Sequence, residues 1–289
     1  MDEKPLAAIP QRRAFPPFKG NFSISFALND INRQINNIIA LLKALKPCLL
    51  CLTFILFHSA ASFALTDNEI FKYQSELKDE SVGERIALWA EKFIGAPYDK
   101  DPLGEYVSRA AIVADERVDC MYLTFRAVEL AMSTSPGEAI EIALNKRFHS
   151  RGIISEGRVV NYEDRFEYGE DMIYSGKWGK DITAQIGRVK RTIGSRGKDF
   201  IEFLPPDELK AKINALKSGD IVFFIKAPKK RSRKEELVAH MGIIKAEDKK
   251  TYLIHAGGIK GRGGYVKKVL LSDYIRKMPF IGAKIARFD

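Results

Sequence analysis

Cysteine is nearly absent: the 289 residues hold three, Cys48, Cys51 and Cys120. A disulfide-stapled framework therefore cannot hold the fold, and a hydrophobic core must. Histidine is almost as scarce, with four residues, three of them beyond residue 64: His149, His240 and His255. Cys120, His240 and His255 show neither HExxH nor CxxC spacing and bring no obvious fourth ligand, so a zinc site has little support and no metal or cofactor is expected. The glycine-rich stretch Gly257–Gly264 lacks the Gly-Lys-Ser/Thr ending of a phosphate loop and reads as a mobile loop beside His255. Zinc-finger spacing and a recognisable helix-turn-helix are missing too, which leaves a nucleic-acid partner without a motif.

Long apolar runs are also lacking. The run Cys48–Phe57 is about half of the ~20 residues that a membrane span needs. Lys43 and Lys46 precede it and the small residues of Ser59–Ala64 follow, the order of an export signal, with cleavage expected after Ala64. An uncleaved anchor from Ile38 to Ala64 is the alternative, and contact with a membrane is expected only through this signal. Residues 1–42, polar and punctuated by Pro5, Pro10, Pro16 and Pro17, are expected to play no structural part. The reading is thus an N-terminal extension with signal, 1–64, and a single domain, 65–289, located in the periplasm or cell envelope. Once the leader is removed, Cys120 is the only thiol, which in an oxidising compartment is either buried or used.

What is present fits a soluble protein with a sizeable core, at 46% hydrophobic and 29% charged residues. The net charge is +10, but residues 1–64 hold seven of the 47 basic and three of the 37 acidic side chains, leaving +6. That mild excess is compatible with a charged glycan, an anionic surface or simple solubility. The basic run Lys226–Lys234 reads as an exposed loop between strands.

Asn68–Phe93 has the apolar spacing of one or two amphipathic helices, stopped by Gly95-Ala96-Pro97-Tyr98, which puts Tyr98 on a loop. From Asp119 a helical period resumes through Leu123, Ala127, Val128, Leu130 and Ala131. Asp119 is the natural N-cap, so Cys120 falls in the first turn, where unpaired N–H groups and the helix dipole favour a thiolate and could hold an oxyanion. Arg147–Asp181 loses periodicity and interleaves Arg158, Arg165, Tyr162, Tyr168, Tyr174 and Trp178, either a substrate groove or a packed loop. Ile221–Ile225 reads as a strand, as do Leu237–Ala246 and Thr251–Ala256, the last two joined by Glu247-Asp248-Lys249-Lys250. If that hairpin centres between Glu247 and Asp248, His240 and His255 stand directly opposite on one face, with Cβ atoms about 5 Å apart. A thiol nucleophile needs a base and the base needs an orienting partner, and these three residues supply that set.

The order of Gly-Ala-Pro-Tyr (95–98), Asp-Cys (119–120), Arg-Phe-Glu-Tyr (165–168), Ser-Gly-Asp-Ile-Val-Phe-Phe (218–224), Ala-His-Met-Gly-Ile-Ile (239–244), Tyr-Leu-Ile-His-Ala-Gly-Gly (252–258) and Ile-Gly-Ala-Lys-Ile-Ala-Arg (281–287) resembles the NlpC-type cell-wall cysteine peptidases. It is most similar to their N-acetylmuramoyl-L-alanine amidase-like branch, over Ile86–Asp289. The resemblance implies an α+β, papain-like cysteine hydrolase fold, with helices packed on a central antiparallel sheet. It also implies Cys120 as nucleophile, His240 as general base and acid, and His255 as the residue that orients it. The implied substrate is peptidoglycan or a muropeptide, cut at the N-acetylmuramoyl-L-alanine amide. The wider family implies an alternative, a D,L-endopeptidase of the stem peptide, and an inactive wall-binding module of the same fold is a third reading. Tyr98, Asp119, Tyr122, Arg165 and Tyr168 are the candidate substrate contacts.

Overall fold

Thr66 begins the first helix of the domain with a reciprocal cap. Its hydroxyl accepts the Glu69 N–H while Glu69 accepts the Thr66 N–H, which starts helix α1, Asp67–Glu76. Ser81 caps α2, Val82–Lys92, in the simpler way. The amphipathic stretch is therefore two helices, separated at Leu77–Ser81. The computed structural model describes residues 64–228, 236–259 and 261–289, together with Arg33, Asn36 and Asn37. The expected leader from Lys43 to Phe63 and residues 229–234 of the basic run lie outside the described residues. Ser62–Asp289 forms one compact unit. No helix among the described residues is long and apolar enough to cross a membrane.

The architecture is α+β. A six-stranded sheet runs β3 (Lys180–Asp181), β10 (Gly282–Arg287), β6 (Ile221–Ile225), β7 (Val238–Glu247), β8 (Lys250–Ile259), β9 (Gly263–Leu270), with every neighbouring pair antiparallel. All five residues of β6 are buried, because helices cover both faces and an unbroken apolar run is what a doubly covered strand requires. One face carries Phe223, Ile225, Ile243 and Ile254 against α2 and the long helix Cys120–Met132. The other carries Val222, Phe224, Ile244, Leu253 and Ile285 against the short helices Pro206–Ala211 and Leu271–Lys277.

The hairpin between β7 and β8 turns on Asp248 and Lys249, both left-handed at φ 48° and 61°, with Glu247 paired to Lys250 and Ile243 to Ile254. A two-residue turn of this hand matches the twist of the strands and needs positive φ at both positions. The turn is centred one residue later than the sequence reading placed it, so His240 and His255 are not directly opposite. The pairing moves by two residues, and because the side-chain period is two both rings keep the same face and meet diagonally.

The segment without periodicity, 147–181, is built from small pieces, among them the antiparallel pair β1 (Ile154–Ser155) and β2 (Arg158–Val159) and the helix Gly169–Ser175; a further antiparallel pair, β4 (Lys190–Ile193) with β5 (Phe200–Phe203), follows it. Of this region, Arg165–Gly169 lines the cleft that also holds Cys120.

Candidate functional site

Cys120 is the first residue of its helix. Asp119 caps it in an extended conformation, its Oδ1 accepting the Tyr122 N–H at 2.8 Å. The helix start is held from the other side by the Pro97–Asp99 loop, which pairs in parallel with Val118: the Val118 N–H donates to Pro97 O and the Asp99 N–H to Val118 O, each at 3.0 Å. Tyr98 also donates its N–H to Gly264 O at 2.9 Å, so the same loop is stitched to β9. A Cβ on Gly258 would lie 2.6 Å from the Tyr98 ring, and Gly264 stands at φ 150° with no room for a Cβ beside Gly257 O. The Gly257–Gly264 stretch expected as a mobile loop is instead paired strand over much of its length, Gly257 with Tyr265 and Gly258 with Gly264, and its glycines make room for Tyr98. Cys120 is half-buried and in no disulfide among the described residues.

His240 and His255 meet through Nε2 of the first and Nδ1 of the second, 2.8 Å apart. Gly242 and Gly257, the neighbours of these residues on the same face, leave the space. A Cβ on Gly242 would lie 3.1 Å from His255 Cβ, and one on Gly257 3.0 Å from His255 Cε1. His240 lies nearly parallel to Phe280 and Phe224, at 9° and 19°, and His255 meets Tyr274 edge-on at 5.0 Å. This apolar nest pushes the His240 ring down to about 4 by burial, with the Lys267 charge adding to it. His255 is pushed to about 3 by burial first, then by His240 and Lys267. Both rings are thus neutral at neutral pH. His255 Nε2 is buried with no hydrogen-bond partner among the described residues. With Nε2 of His240 engaged, Nδ1 is the nitrogen left to exchange a proton. For Nδ1 to carry a lone pair in the neutral ring, Nε2 must be the donor and His255 the acceptor.

Cys120 and His240 line one cleft of 480 Å³. Its first wall brings Tyr98, Leu103, Tyr106 and Asp119, its second Arg165 to Gly169, and its third Glu236 and Val238 to Met241. Arg165 donates to Glu167 at 3.0 Å. Burial, then the neighbouring Cys120, Asp119 and Asp99, raises the Tyr98 phenol well above its ordinary range, so it stays protonated and able to donate. Of the residues singled out from sequence, Tyr98, Asp119, Cys120, Arg165, Tyr168 and His240 line the cleft, with His255 behind His240.

Tyr122 does not belong with them. It is fully buried, its hydroxyl donating to Asp115 at 2.7 Å and accepting the Ala114 N–H at 2.6 Å, and the reading of it as a substrate contact is corrected to a core residue. The helix turns residue 122 inward, away from the face that presents Cys120. Leu103, Tyr106, Glu167 and Glu236 were not foreseen at the cleft. Asp99 and Asp101 gave the one available hint, since their carboxylates fold the 99–105 loop by accepting the N–H groups of Asp101, Leu103 and Glu105. Among the described residues no three His, Cys, Asp or Glu side chains are grouped to hold a metal ion.

No family model and no curated protein matches this chain. Solved structures do. An N-acetylmuramoyl-L-alanine amidase from Bacteroides uniformis aligns with a TM-score of 0.54 at 21% identity, over 71% of this chain and 98% of the amidase. A Legionella pneumophila protein of the family DUF1460 aligns with a TM-score of 0.59 at 16% identity, over 76% of this chain and 93% of its own. The likeness is one of fold, and it takes in nearly the whole of both neighbours.

Proposed function

We propose that this chain is an exported cysteine amidase that hydrolyses the N-acetylmuramoyl-L-alanine amide of peptidoglycan or of muropeptides by a Cys-His-His mechanism. The observation that carries the reading is the 2.8 Å contact between His240 and His255 in a cleft whose other wall presents a helix-start cysteine. The name of the Bacteroides uniformis neighbour supports the choice of bond. The papain-like description of the fold belongs to the same proposal. It rests on a nucleophile at a helix N-terminus packed against an antiparallel sheet that carries the base.

His240 Nδ1 takes the thiol proton of Cys120, and Sγ bonds to the amide carbonyl carbon. The carbonyl oxygen becomes an oxyanion facing the N–H groups at the start of the Cys120 helix. The C–N bond then breaks, the amine of alanine leaves with the proton from His240, and a thioester to the lactyl carbonyl of N-acetylmuramic acid remains. Water, deprotonated by His240, attacks the thioester and releases Cys120. His255 holds the His240 tautomer throughout.

Digestion of muropeptides with the Cys120→Ala protein is expected to lose at least about a thousandfold in rate while the fold is kept. Wild-type turnover by that variant would end the mechanism. Mass spectrometry of the wild-type digest decides the bond: an intact stem peptide beside N-acetylmuramic acid supports the amidase, and a cut within the peptide supports an endopeptidase. Export rests on the Lys43–Ala64 sequence, and N-terminal sequencing of the protein from the envelope fraction tests it, with a start at Leu65 expected.

A further inference from the structure

Two consecutive residues of one turn, Ser195 and Arg196, hold two consecutive acids at the start of the helix Gly169–Ser175. The buried Ser195 hydroxyl donates to Glu170 Oε1 at 2.9 Å, and that oxygen also accepts the N–H of Leu237, one residue before β7. The Arg196 guanidinium donates from Nε to Asp171 Oδ1 at 3.1 Å and from Nη2 to Oδ2 at 3.3 Å, and it lies 4.4 Å over the Tyr168 ring. Asp171 Oδ2 in turn accepts the N–H groups of Glu167 and Tyr168, at 3.2 and 3.1 Å. One fork thus fixes both a carboxylate and the ring beside it, which an ammonium group cannot do.

The two acids reach different walls of the cleft. Asp171 holds Glu167 and Tyr168, while Glu170 holds the strand that runs through Val238 and Ala239 to His240. The walls touch where a Cβ on Gly169 would lie 2.4 Å from Val238 Cγ1. Arg196 itself sits at φ 54°, a left-handed conformation that a residue other than glycine keeps only where its surroundings impose it. Gly194 lets the turn close so tightly, since a Cβ there would lie 2.5 Å from Lys198 O.

We infer that Arg196 is a positioning residue. Through Asp171 it fixes the Glu167–Tyr168 wall and so sets how firmly substrate is held, without touching the reacting atoms. The substrate half of this inference rests on the amidase reading; the bracing of the wall does not.

The test uses the full chain with Arg196→Met and the milder Arg196→Lys. In the methionine variant, amide hydrogen exchange at Glu167 and Tyr168 is expected to quicken about tenfold or more. KM for a muropeptide should rise by about tenfold with kcat changed less than about twofold, and the lysine variant should fall between. Exchange at both amides and KM all unchanged in Arg196→Met would overturn the inference, as would a loss confined to kcat. If exchange quickens but the wild-type chain hydrolyses no muropeptide, the brace stands and the amidase reading falls.

Discussion

His255 has one ring nitrogen bonded to His240 and one buried against nothing that can accept from it or donate to it among the described residues. A neutral imidazole beside His240 stabilises its protonated form less than a carboxylate would, and the pair is poised against protonation. Lys267 reinforces this from the neighbouring strand. It is paired with His255 in the sheet, and its Nζ lies 3.1 Å from the point where a Gly257 Cβ would sit, beside His255 Cε1. The other titratable groups packed on this nest are Cys120 from its helix and Tyr274 from the helix Leu271–Lys277. Removing the Lys267 charge should ease protonation of both rings. In Lys267→Met the histidine midpoints, followed by NMR of the ring protons, are expected to rise by about 0.5–1 pH unit, and the acid limb of the rate profile with them. Lys267→Arg should leave both where they are.

At the scale of the element, the Cys120 helix is held by a buried chain of charges. Arg126 donates to both oxygens of Asp115, at 2.8 and 2.9 Å, and Arg147 donates to both oxygens of Glu129, at 2.6 Å each. Tyr122 joins it through Asp115, and the Arg147 guanidinium lies 4.9 Å over the Tyr122 ring. None of these side chains is more than 3% exposed. A helical pattern alone places Arg126 and Glu129 on a solvent face, because it counts charged residues as outward. Here the outward face is covered by the Pro136–Lys146 helix and the loop around Asp115, and the charges are paired within it. Arg147→Met should leave Glu129 short of its bidentate partner and cost about 3–5 kcal/mol, read as a lower denaturant midpoint with an unchanged slope. A loss under about 1 kcal/mol would mean that Arg126, 3.6 Å from Glu129, compensates alone.

For the molecule as a whole, the two buried histidines set a direction in acid. Their unfolded value is about 6.5. Their folded values lie near 4 and 3. Between those limits the unfolded chain binds protons that the folded rings refuse, so stability falls as pH falls from 6.5 toward 4, and above 6.5 the pair contributes no slope. Urea midpoints measured from pH 7.5 to 4.5 should therefore decline, and the double variant His240→Phe/His255→Leu, whose side chains suit the Phe224, Tyr274 and Phe280 nest, should decline less. The fold also closes on itself through long-range pairs. Arg287 near the C-terminus binds both oxygens of the fully buried Asp220 at 2.6 and 2.7 Å, tying β10 to the turn before β6.

Sequence by itself determined several of the elements that surround the cleft. Asp119 before an apolar period gives a capped helix with Cys120 at its start, the five apolar residues of 221–225 give a strand, and the polar link 247–250 gives a hairpin between the two histidine-bearing strands. These are local consequences of capping, periodicity and turn length. The turn at Asp248 and Lys249 set the two-residue shift that makes the histidines diagonal; tertiary structure alone decided the burial of Tyr122, the pairing of the glycine-rich stretch around Tyr98, and the brace from Ser195 and Arg196 to the cleft. Each depends on which distant segment fills the space beside a residue, and nothing in the spacing of neighbours along the chain encodes that.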